Sequence, residues 1–150
     1  MADRILHAVA VSFDWVIDMA LHWAAQYIGR PWVNGGRDIQ SGVDCWGLLC
    51  HVYRQHYNIN LPVFIGVDAA DNRAVAKLMN QHDQWRELPT PMEGCAVALS
   101  KNKALHHVGL YVCGRVLHAM EGQGVVSQTV ATLTAKGWTT IRYFQHEGMA

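Results

Sequence analysis

The chain has 150 residues, 51% of them hydrophobic and 16% charged, which supports one core burying about 68–70% of the unfolded surface and a single domain over residues 1–150. Twelve basic residues balance twelve acidic ones, so neither disorder nor a basic nucleic-acid-binding face is expected. Nine histidines nonetheless make the protein cationic below pH 6.

The first 23 residues look apolar, but Asp3, His7, Asp14 and Asp18 interrupt them. No run approaches the ~20 apolar residues of a membrane span. An export signal would need a basic start and an unbroken apolar stretch. The expectation is synthesis in the cytoplasm, with no signal peptide and no membrane anchor. Over residues 15–28, Trp15, Val16, Met19, Ala20, Trp23 and Tyr27 recur at helical spacing and predict an amphipathic helix, ended by Gly29-Arg-Pro. Residues 32–43, with Gly35, Gly36 and Gly42, read as an exposed loop. Asp44 is a good N-cap for a second helix carrying Cys45, Leu48, Leu49, Val52 and Tyr53, bounded by Asn58 and Pro62. Residues 69–80 suggest a more polar surface helix. Beyond Pro89 and Pro91, short stretches rich in valine and leucine at 95–99, 107–112 and 116–119 predict an antiparallel meander, and 125–130 and 139–144 offer two more strands. Helices first and strands afterwards imply an α+β domain, its helices packed on one face of the sheet.

Four cysteines without a CxxC pair do not make a disulfide scaffold, and reduced thiols are expected. Cys45 falls in the first turn of the second helix, where the dipole and free backbone N–H groups favour thiolate. On that ground alone it reads equally as a small buried hydrophobe. On a strand starting near His106, the residues His107, Gly109 and Tyr111 share one face, and a turn at Cys113-Gly114 makes His107 and His118 cross-strand neighbours. A cysteine at a helix start, a histidine on a facing strand and a polar group orienting it form the set a thiol nucleophile needs. Any single strand histidine is as readily a satisfied core residue. Zinc on His106, His107, His118 and a cysteine lacks the paired ligand spacing of structural sites, so no metal is expected.

Several stretches resemble the NlpC-type cell-wall cysteine peptidases, compact papain-like enzymes of bacteria and their phages. They are Tyr27-Ile-Gly-Arg-Pro-Trp-Val-Asn-Gly-Gly, Asp44-Cys-Trp-Gly-Leu-Leu-Cys-His-Val-Tyr-Arg, Ile59-Asn-Leu-Pro, Pro91-Met-Glu-Gly-Cys, His107-Val-Gly-Leu-Tyr-Val and Leu117-His-Ala, covering about residues 24–119. The resemblance implies the papain-like NlpC fold, N-terminal helices packed on a central antiparallel sheet. It implies Cys45 as nucleophile, His107 as general base and acid, and His118 as the residue orienting His107. The substrate it implies is peptidoglycan, cut at an amide bond of the stem peptides, often between D-glutamate and diaminopimelate, with no cofactor. His107 is preferred over His106 because Val-Gly follows it. Trp46 stands where the family usually has serine, Trp32 where tyrosine is common and Cys95 where aspartate is frequent. With Asp44, Trp32 and Trp46 are assigned to the substrate side by position. Tryptophan after the catalytic cysteine resembles the phage-tail and prophage subgroup, which implies phage tail proteins as partners and a place in the virion tail or delivery to the periplasm. Two other readings stay open: an idle structural tail component, motivated by the missing serine and tyrosine, and a secreted interbacterial amidase toxin.

Overall fold

The computed structural model describes residues 22–62, 83–101 and 106–149. The helix expected at 69–80 lies outside these residues, as does the first half of the one expected at 15–28. Where the description begins, His22 is extended (φ −75°, ψ 142°) and caps only a short 3-10 turn, Trp23–Tyr27. A continuous helix over 15–28 therefore does not run through this point.

Within the expected loop, two short strands pair antiparallel, β1 (Arg37–Asp38) and β2 (Gly42–Val43). They lead into helix α1, Cys45–Tyr57. Asp44 is extended (φ −88°, ψ −174°) and its Oδ1 accepts the Gly47 N–H at 2.8 Å, which satisfies one of the donors a helix start leaves over. The helix ends at Asn58, whose φ of 55° is the left-handed conformation that asparagine tolerates. Both boundaries fall where the sequence placed them.

The sheet has six strands: β3 (Trp85–Leu88), β4 (Ala96–Ser100), β5 (His107–Val112), β6 (Arg115–Met120), β7 (Gly124–Gln128) and β8 (Thr140–His146). Their order is β3-β8-β4-β5-β6-β7, with every neighbouring pair antiparallel. The meander β4–β7 matches the expected α+β design, and β8 returns to lie between β3 and β4. One expected strand is too long: β7 stops at Gln128, and a second helix, α2 (Val130–Ala135), follows. Thr129 starts it by accepting the Thr132 N–H at 3.1 Å on Oγ1. Valine and three neighbouring threonines are poor helix formers, so the cap and the buried Leu133 hold this turn rather than propensity.

Helix α1 packs on one face of the sheet, where Leu48, Leu49, Val52 and Tyr53 meet Val108, Leu110, Leu117 and Phe144. The described helices are not confined to that face. Leu133 of α2 and Trp138 cover Val97, Leu99 and Val116 on the other side, which makes β4 buried along its whole length.

Candidate active site

The capped start of α1 sets Cys45 against Val108, and the neighbouring His107 at the start of β5 meets His118 on β6. Cys45 is 3% exposed, and its sulfur accepts the backbone N–H groups of Trp46 and of Val108. The thiol thus lies against β5 one residue from His107. It makes no hydrogen bond to the His107 ring among the described contacts.

His107 and His118 meet through the sheet register. The β5–β6 ladder runs Val112↔Arg115, Tyr111↔Val116 and Leu110↔Leu117, and its continuation sets His118 opposite Gly109. A side chain at 109 would leave no room. A Cβ there would lie 2.8 Å from the Leu117 carbonyl oxygen and 2.9 Å from the His118 Cβ. Over that glycine, His107 Nε2 reaches His118 Nδ1 at 2.8 Å. His118 Nε2 in turn lies 2.7 Å from Gln128 Oε1 on β7. Trp138 stacks on His107, ring centroids 5.1 Å apart and 24° between planes. His106 turns elsewhere, its Nε2 accepting the Lys101 backbone N–H at 3.2 Å.

Burial governs the titration of all three groups. It pushes the Cys45 thiol up to about 12, outweighing the two backbone hydrogen bonds and the charge of Arg37, while Asp44 adds to the rise. This reverses the expectation of a thiol favoured as thiolate by the helix start. Burial, and then the neighbouring His118, holds His107 well below its ordinary range. Burial also takes His118 down to about 4, against the upward pull of Gln128. At neutral pH the site therefore rests with a neutral thiol and two neutral imidazoles.

The residues placed on the substrate side are engaged internally. Asp44 is fully buried and bridged to Arg37 Nη1 at 2.6 Å, while its Oδ2 has no hydrogen-bond partner. Trp46 is 2% exposed and gives its indole N–H to the Pro62 carbonyl at 2.8 Å. It packs in the core, so the groove contact expected of it is not offered by this arrangement. Trp32 is half-buried and bridges to Val43 beside α1. Two surface clefts, of about 180 and 240 Å³, lie along β8, and neither includes Cys45 or His107. Arg37, Gln128 and Trp138 are the site residues that sequence reasoning missed. Each joins the site through pairing or a turn, and none carries a local motif.

All four cysteines are free thiols. Outside the site, ligand atoms of His22, Glu93 and Cys113 lie within 4.8 Å of one another. That arrangement does not suit a metal: His22 Nδ1 accepts the Ala24 N–H at 3.1 Å, so the neutral ring carries its proton on Nε2, the nitrogen facing Glu93. Among the described residues, no helix is long and apolar enough to cross a membrane.

A model of the NlpC/P60 family matches residues 29–143. Among solved structures, the chain is similar to the NlpC/p60 domain of the peptidoglycan hydrolase SagA. The identity is 22% and the TM-score 0.55, over 81% of this chain and 90% of that one. It is also similar to a protein from Staphylococcus aureus subsp. aureus Mu50 described as similar to a lipoprotein, of the NLP/P60 family. There the identity is 24% and the TM-score 0.51, over 79% of this chain and 38% of that one. No curated protein matches the chain.

Proposed function

The chain belongs to the NlpC/P60 family, and from that premise we propose that it is a cysteine peptidase cutting an amide bond in the peptide stems of peptidoglycan. One observation carries the reading: Cys45, at the capped start of α1, lies against Val108, beside a histidine relay that begins at the adjacent His107.

In the proposed reaction, His107 Nδ1 takes the Cys45 proton as the sulfur attacks the scissile carbonyl carbon. A C–S bond forms and the carbonyl electron pair moves onto oxygen, where the Cys45 backbone N–H at the helix start stabilises it. Collapse breaks the C–N bond, and His107 passes its proton to the leaving amine. Water, deprotonated by His107, then attacks the thioester. The C–S bond breaks, sulfur regains its proton from His107, and the acid product leaves, losing its carboxyl proton to solvent. His118 keeps the His107 ring oriented through both steps. Asp44 acts through the helix cap and its bridge to Arg37, and Trp32 is placed on the substrate side by position. Trp46 acts through packing.

The bond proposed is that between D-glutamate and diaminopimelate. The protein is proposed to act in phage or prophage tails, made in the cytoplasm and carried to the wall in the virion tail or delivered to the periplasm. Tryptophan at position 46, in place of the usual serine, supports the tail assignment. Digestion of purified peptidoglycan with wild type and Cys45→Ala, read by mass spectrometry, tests the reading. New peptide termini formed only by the wild type name the bond, whereas equal cleavage by the variant refutes the thiol mechanism. A second reading, an idle tail component, is favoured by the buried, neutral thiol. It predicts no products from the folded, reduced wild type.

A further inference from the structure

Three consecutive strands, β5, β6 and β7, each contribute one polar side chain to a slanting line: His107, His118 and Gln128. On β6–β7, His118 is opposite Val126 and Gln128 is opposite Val116. Gln128 therefore lies two residues along from His118's direct partner, on the same face of the sheet. The strand ends at Gln128, and the next residue is anchored as the cap of α2.

We propose that Gln128 is a positioning residue: by accepting the His118 Nε2–H, it fixes where both imidazoles carry their protons and leaves His107 Nδ1 unprotonated. A neutral imidazole has one N–H and one lone pair. A carbonyl oxygen only accepts, so Gln128 Oε1 at 2.7 Å assigns the His118 proton to Nε2. His118 Nδ1 is then an acceptor, and the 2.8 Å contact with His107 Nε2 assigns the His107 proton to Nε2. The lone pair of His107 falls on Nδ1, the nitrogen left to take a thiol proton. Turning the amide over reverses the chain. Its NH2 would donate to His118 Nε2, His118 Nδ1–H would donate to His107 Nε2, and His107 Nδ1 would be blocked by a proton. A single side-chain carbonyl thereby separates a ring that can act as a base from one that cannot. The assignment of protons stands on geometry, and its consequence for catalysis rests on the peptidase reading.

Long-range 1H–15N spectra of the folded wild type at pH 7 test the proposal directly, with or without cleavage of any substrate. Both His107 and His118 are expected as Nε2–H tautomers. In Gln128→Glu, whose carboxylate still accepts, the same pattern persists. In Gln128→Leu, of similar shape but with no acceptor, His107 becomes a mixture of tautomers. On a soluble stem peptide, kcat falls about tenfold to a hundredfold with KM unchanged, and Gln128→Glu restores it. A wild-type spectrum with the proton on His107 Nδ1 overturns the proposal, as does a Gln128→Leu variant whose tautomers and kcat match the wild type. Absence of cleavage by the wild type, with the tautomers as expected, refutes only the peptidase reading.

Discussion

Gly109 sets the distance between β5 and β6 at the point where the two histidines meet, and Gly109→Ala tests that dependence. The substitution adds one methyl group. Its carbon would lie 2.8 Å from the Leu117 carbonyl oxygen, 2.9 Å from His118 Cβ and 3.0 Å from Val116 Cγ1, where ordinary contact begins at 3.4 Å. Two of these atoms, a backbone oxygen and a Cβ, cannot swing away as a flexible side-chain end would. The strands must separate by about half an ångström, and overpacking of this kind costs about 1–3 kcal/mol. In a chain of this length that lowers the melting temperature by about 2–4 °C per kcal/mol. The same displacement stretches the 2.8 Å bond between His107 and His118, and misplacement on the scale of 1 Å in a catalytic group costs about a hundredfold in rate. Thermal unfolding by circular dichroism and cleavage of a stem peptide measure the two effects separately. A variant as stable as the wild type to within about 0.5 kcal/mol with unchanged tautomers refutes the packing argument.

Two predictions concern pH. With the Cys45 thiol at about 12, roughly one molecule in 100,000 is thiolate at pH 7. Iodoacetamide labelling of the Cys45 peptide, followed by mass spectrometry, should rise about tenfold per pH unit from 7 to 10, and a plateau below pH 8.5 contradicts the buried, neutral thiol. His118 is depressed from 6.5 to about 4 when folded, so its contribution to stability is present above pH 6.5 and lost as pH falls toward 4, because the unfolded chain takes up the proton first. That loss is about 3 kcal/mol. Urea unfolding at pH 7 and pH 4 reads it, and His118→Asn should reduce the difference; an equal pH dependence in the variant sinks the assignment.

The elements that were legible in the sequence have strong local grammar. Asp44 before an apolar period and Asn58 after it mark α1 at both ends. The strands around His107 and His118 are short apolar runs divided by Cys113-Gly114, which sits in a positive-φ turn (φ 54° and 75°). The unforeseen elements lack such grammar. Strand β3 is an edge strand, half of it the exposed pair Arg86 and Glu87. Its pairing with β8, reinforced by the Arg142–Glu87 bridge at 2.7 Å, is a long-range fact that a four-residue stretch with a charged pair at its centre does not announce. Half of helix α2 is β-branched, and the helix is started by one capping threonine and anchored by one buried leucine. Gln128 was read as part of a strand without a role. Its role follows from register: only the offset of β7 against β6 brings it within hydrogen-bonding distance of His118.

The thiol shows where sequence reasoning had a correct influence but the wrong magnitude. The start of a helix does favour thiolate, and Asp44 and Gly47 place that start as expected. A helix terminus contributes 0.3–1 kcal/mol at exposed sites, which is below one pKa unit. Complete burial in apolar surroundings shifts a titratable group by as much as 3–5 units. Sequence periodicity locates Cys45 on the helix but does not show that β5 closes over it, so the larger influence was the invisible one. A thiol held neutral in this way is a weak nucleophile until its proton has somewhere to go. The proposed peptidase needs an acceptor imidazole that is neutral at working pH with its lone pair on the correct nitrogen, and burial of His107 together with the Gln128 carbonyl is consistent with that need. In the proposed reaction, the same burial that suppresses the thiolate keeps His107 unprotonated, and proton transfer from Cys45 to His107 would await a bound carbonyl able to receive the sulfur's electron pair.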